Sequence, residues 1–191
     1  MEPTSYKCLK IAQRNTTGSP TFVMFSAKAK AILSWAAIER LDDKSQTGPQ
    51  RIEKPYKVKA IKSFFEADPN NTIPTAVVIG FSPGTTRVSS IDGCDQLFDL
   101  SFIFSEGTKT VGTIVDGQHR VLGINSFDPE APINVIGLID VDDAETAFQF
   151  LVINQWHPTG AWSLSEPVEF ANDPLALRQN EFKDFGILSA L

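Results

Sequence analysis

TIVDGQHRVLG, residues 113–123, sets the polar run Asp116-Gly117-Gln118-His119-Arg120 between Ile114-Val115 and Val121-Leu122. A β-branched run that meets Asp-Gly and then turns polar predicts a strand, a sharp turn and a helix from Gln118 to about Phe127. Gly117 lets the backbone turn at little steric cost and would leave room for a ligand to approach the main chain. The first amides of a helix have no partner inside it, so they favour an anion. His119 and Arg120 would sit where the helix dipole opposes a cation, and a bound phosphate would reverse that sign. The competing reading is an ordinary capped turn with an exposed arginine and a packed histidine.

Outward from this stretch, strands and helices are interleaved. SAKAKAILSWAAIERL (26–41) is Ala-rich and predicts a first helix capped by Ser26. Pro55 suits the first turn of a second helix, YKVKAIKSFFEA, with Val58, Ile61, Phe64 and Phe65 on one face. IPTAVVIGF (73–81) and INVIGLID (133–140) read as buried strands. Residues 82–96 read as an irregular loop. FDLSFIF and TVGTIVD, joined by SEGTK, suggest a hairpin. DDAETAFQFLVINQW (142–156) predicts a helix capped by Asp142 or Asp143, with Glu145 in its first turn. The segment from Ser163 onward reads as mostly helical. The expected fold is α/β (α+β), a small mixed sheet flanked by helices. Its expected parts are an N-terminal helical extension (1–44), a central domain (45–160) and a C-terminal helical segment (161–191). The abrupt ending in ILSAL suggests a short chain or a fragment.

The totals restrict the partners. A length of 191 residues with 42% hydrophobic content can bury a substantial core. The longest apolar runs are too short to span a bilayer, and the spacing of Cys8 and Cys94 suggests no metal or redox site. A reduced, cytoplasmic setting is expected. The net charge of -6 argues against unaided coating of DNA, although Lys54, Lys57, Lys59 and Lys62 could form a local DNA-binding face. There is no Walker-type phosphate loop. Asp92, Asp95 and Asp99 lack the glycine and terminal glutamate of a calcium loop.

Within the central stretch the residue types suit phosphate recognition. Arg120 can grip phosphate oxygens in a bidentate manner, and Gln118 can donate or accept to a base or sugar. Asp116 can cap the helix, orient Arg120, or hold Mg²⁺ through phosphates. Arg51 is a candidate second phosphate ligand. Asp116 and His119 are the nearest groups able to position water.

IVDGQHR resembles the motif that names the DGQHR-domain proteins, whose relatives include DndB-type proteins of DNA phosphorothioation (sulfur modification) systems. That resemblance extends over roughly residues 45–160. It includes Gln50-Arg51, the helix YKVKAIKSFF, the strand IPTAVVIGF, then INVIGLID and a Phe150-x-x-x-Asn154 segment followed by Gln155. The Gly117-x-x-Arg120 device is also similar to ParB-type CTP-binding domains and to sulfiredoxin. Sulfiredoxin-like sites need a cysteine where this chain has Gln118, so that activity is not expected. Against ParB, there is no second arginine before Arg120 and Gly123 replaces the usual alanine, so clamp behaviour does not follow. A related DGQQR group in restriction systems hydrolyses nucleotides at this site.

The resemblance implies a ParB/sulfiredoxin-like core that binds a nucleotide or a nucleic-acid phosphate at Asp116–Arg120. It further implies that Asn154 faces the motif loop, with Gln155 beside it. The expected role is regulation or NTP-dependent support of a bacterial DNA-modification or defence system, with restriction or modification proteins as partners. An NTP with Mg²⁺ is the expected cofactor, and NTPase activity stays open. The alternative is a non-catalytic DNA-binding repressor in which the motif is structural.

Overall fold

The computed structural model describes residues 4–13, 21–38 and 55–155. Its elements are β1 (Ser5–Ala12), β2 (Thr21–Lys28), α1 (Ala29–Trp35), β3 (Ala36–Ala37), α2 (Pro55–Ala67) and β4 (Val77–Phe81). These are followed by β5 (Thr86–Ile91), β6 (Cys94–Phe102), β7 (Gly112–Asp116), α3 (Gln118–Phe127), β8 (Pro132–Leu138) and α4 (Asp143–Gln155). The strands form one mixed sheet in the order β3-β7-β4-β8-β2-β1-β6-β5. The fold is therefore α+β, as expected, but its sheet of eight strands is not small. Among the described residues no helix is long and apolar enough to cross a membrane.

Two halves meet at the β8–β2 pair. In the first, β4 runs parallel to β8 and antiparallel to β7, and β3 adds a short parallel pairing to β7. In the second, β2, β1, β6 and β5 are antiparallel throughout. Side chains alternate across a strand. Val77, Ile79 and Phe81 of β4 therefore join Val23 and Phe25 of β2 on one face, where Ile32 and Trp35 of α1 and Val121 and Ile124 of α3 complete the core. Gly80 points to the opposite face. A Cβ there would stand 3.0 Å from Val141 Cγ2 and 3.1 Å from Thr146 Oγ1, which places α4 on that side.

The N-terminal expectation needs correction. Among the described residues of the expected helical extension 1–44, β1 and β2 lie inside the sheet, and helix occupies Ala29–Trp35 of the described part, 26–38, of the expected helix 26–41. Ser26 caps nothing, because it pairs with Asn134 in the ladder. Burial alternation overrides helix propensity here: Val23, Phe25 and Ala27 are buried while Met24, Ser26 and Lys28 are exposed. The first amides of α1 are satisfied by the loop before β8, with Ala29 N donating to Ala131 O at 3.0 Å and Lys30 N to Pro129 O at 3.1 Å.

The hairpin also lies elsewhere. β6 pairs with β5 and β1, whereas β7 pairs with β4 and β3, so FDLSFIF and TVGTIVD are not partners. Residues 82–96, expected as a loop, hold β5 and the start of β6, joined through Asp92-Gly93 with Gly93 at φ 74. An Asp-Gly pair between two strands is a strong local hairpin signal. The long helices, by contrast, fall where expected. Pro55 opens α2, and Glu145 N donates to Asp142 Oδ1 at 2.8 Å at the start of α4.

Aromatic packing joins the halves. Trp35 is almost fully buried, lies within 4.8 to 6.3 Å (ring centroids) of Phe102, Phe81, Tyr6 and Phe25, and donates its Nε1 hydrogen to Tyr6 Oη at 3.1 Å.

Candidate functional site

β7 is a β-branched strand held between β4 and β3, and it delivers Asp116 to its carboxyl end. Gly117 then takes φ 95 as the N-cap of α3, a left-handed conformation that disfavours other residues. The space beside its α-carbon is already filled. A Cβ there would stand 2.7 Å from Val77 Cγ1 and 3.1 Å from Arg120 Nη2. The missing Cβ makes room for β4 and for the Arg120 side chain, while Gly117 also lines the cleft described below.

Asp116 does not cap α3, whose N-cap has no side-chain hydrogen bond. Its carboxylate pairs with Arg120 Nη2 one turn along, while Arg120 Nη1 donates to the Ala76 carbonyl at 2.6 Å. Arg120 thus fastens the end of β7 to the residue preceding β4. An internal carboxylate also compensates the cation that the helix dipole opposes. A guanidinium carries five N–H donors, so these two bonds do not exhaust it. Gln118 is buried at 8% exposure, and His119 is half-buried beside it. The helical ladder begins with Val121 N donating to Gly117 O at 3.0 Å, so the amides of residues 118–120 precede it.

A cleft of about 430 Å³ opens over this turn. Its floor is the chain from Val115 to Arg120. Lys57, Ala60 and Ile61 of α2 form one wall, and Phe150 of α4 reaches it from the other face of the sheet. The α2 wall stands close because Gly123 permits it. A Cβ on Gly123 would lie 2.6 Å from Ile61 Cβ and 3.2 Å from Val58 O. The glycine that departs from the ParB pattern is thus where α2 and α3 touch. Lys57 stands one turn before Ile61 on the same helical face, and that contact carries it to the cleft.

The lysines that the sequence grouped as a DNA-binding face are divided. Lys57 is half-buried in the cleft, and Lys59 and Lys62 fall on the other side of α2 by helical spacing. Lys62 Nζ lies 3.6 Å from Glu66 Oε1. Lys54 and Arg51 lie outside the described residues. Asn154 and Gln155 belong to the last turn of α4, and their side chains are likewise outside. Sequence reasoning grouped Lys57 with Lys59 and Lys62 and passed over Ala60, Ile61 and Phe150 as residues of the cleft. The available signal was that Lys57 precedes Ile61 by four positions on the packed face of α2.

The chemistry on offer is anion binding by Lys57 and Arg120, with Asp116 the carboxylate of the lining. Among the described residues no group of three or more His, Cys, Asp or Glu side chains is arranged to hold a metal ion by itself. No family model, curated protein or solved structure matches the chain.

Proposed function

We propose that this chain is a DGQHR-domain protein, similar to DndB, that binds the phosphates of a nucleotide or nucleic acid in the cleft over Asp116–Arg120. The carrying observation is the meeting of Lys57, from α2, with the first turn of α3 and Arg120. In a chain of net charge -6, two cations against one carboxylate make this cleft a locally favourable place for an anion. Arg120 is already held by Asp116 and Ala76 O, so it is oriented before a ligand arrives. Mg²⁺ fits as an ion carried by the phosphates, because Mg²⁺ usually takes one or two carboxylates plus phosphate oxygens and Asp116 can supply one. Gln118 and His119 shape the floor. His119 and Asp116 are the groups that could position a water, and phosphate release abolished by His119→Ala would assign hydrolysis to them. The cellular role proposed is cytoplasmic, as a regulator or NTP-dependent component of a DNA-modification or defence system.

Thermal unfolding with ATP, CTP and GTP, each with and without Mg²⁺, tests the binding. A ligand at hundredfold its Kd should raise Tm by about 5–10 °C. Arg120→Ala is a poor control because it also unfastens β4 from β7. Lys57→Ala removes a half-buried surface cation and should reduce the shift while leaving the unliganded Tm near its original value. No shift with any nucleotide or with short DNA would overturn the proposal. DNA binding that Lys59→Ala and Lys62→Ala weaken, with Lys57→Ala silent, would favour the repressor.

A further inference from the structure

The cleft is lined by apolar as well as cationic side chains, and a phosphate alone has no use for the apolar ones. Lys57, His119 and Arg120 line it together with Ala60 and Ile61 of α2 and Phe150 of α4. Ile61 and Phe150 are both half-buried, so each keeps surface outside the core. A volume of about 430 Å³ lies in the range of small-molecule sites, which pair an apolar lining with a few polar anchors. A polynucleotide backbone presents phosphates outward and needs an open basic track. Here the lining holds two cations, Lys57 and Arg120, and Lys62 pairs with Glu66 on the other side of the same helix.

We infer that the ligand is a free mononucleotide, with its base packed against Phe150 and Ile61 and its phosphates held by Lys57 and Arg120. This rests on the anion-binding reading above and narrows it: the site takes a planar aromatic ring joined to a polyphosphate. Phe150 is then the base-binding residue, reaching the site from the face of the sheet opposite α2 and α3. An aromatic ring is suited to this because every base offers a π-face, so stacking tolerates different bases.

Titration calorimetry with two probes, a nucleoside triphosphate and inorganic tripolyphosphate, separates the two claims. Wild type should bind both, the nucleotide more tightly. Phe150→Ala should weaken the nucleotide by about tenfold, the effect of losing one stacked base. It should leave tripolyphosphate affinity unchanged, which also certifies that the variant is folded. Phe150→Leu keeps apolar volume and should fall between, and Phe150→Tyr should restore affinity. Equal loss of both probes, or equal affinity of both for wild type, would overturn the base-binding role while the phosphate site stands. Binding of neither probe would overturn the phosphate site itself.

Discussion

The helix-bearing half of the sheet, β3-β7-β4-β8, and the antiparallel half, β2-β1-β6-β5, share one core but meet solvent differently. In the first half, α1 and α3 pack on one face and α4 on the other, so VVIGF and GTIVD are apolar without alternation. In the second, one face joins the core while the other carries a row of paired, exposed apolar side chains, Met24, Leu9 and Leu97. Helices on both faces of the first half create the ends and turns from which a cleft can be made. The second half contributes core area and the Lys7–Asp99 ion pair at 2.7 Å, but no residue of the cleft lining.

The sharpest way to break this contrast is at Gly117. Gly117→Ala forces an L side chain into φ 95 and drives a methyl group against Val77, so it should cost about 2–5 kcal/mol in urea unfolding. A cost under about 0.5 kcal/mol would mean that the turn is not packed as described. The counterpart in the other half is Leu97→Lys. Leu97 is 39% exposed, so the change should fall within about 0.5 kcal/mol of wild type. A loss comparable to that of Gly117→Ala would mean that the Met24–Leu9–Leu97 row is covered and that the halves are alike.

The smallest effect is expected at the seam. Lys28 of β2 and Lys30 of α1 both bond Glu130, which holds its carboxyl below the ordinary glutamate range. A depressed folded-state pKa gives stability that is present at neutral pH and lost as pH falls through the acidic carboxylate range. Glu130→Gln should therefore slightly flatten the fall in Tm below about pH 4 while changing little at pH 7. An unchanged acid limb would show that the contact is too solvated to matter.

The same contrast explains what could be read from the chain. The strand–Gly–helix device at 113–127, α2 from Pro55 and α4 after Asp142 were legible because buried runs, proline and caps are local signals. β1 and β5 were not, since strands with one wet face mix Lys, Arg and Ser into their pattern, and SYKCLKIA resembles no buried run. Asp92-Gly93 did announce a turn, but the longer apolar stretch FDLSFIF drew the pairing toward TVGTIVD. In the site, the motif residues were legible as a string and Lys57 was not. Spacing within α2 sets Lys57 on the face of Ile61, but its place at the cleft depends on how closely Gly123 lets α2 approach α3, a tertiary contact.

The proposed function requires that an anion bind the first turn of α3 beside Lys57. Backbone amide NMR shifts recorded during titration with a nucleoside triphosphate test it most directly. The largest saturable shifts should fall on Gly117–Arg120 and Lys57, and Lys57→Ala should weaken the midpoint about tenfold or less, the range of one charge-assisted contact. Shifts confined to Lys59, Lys62 and their neighbours, or an unperturbed α3 start at saturating nucleotide, would contradict it.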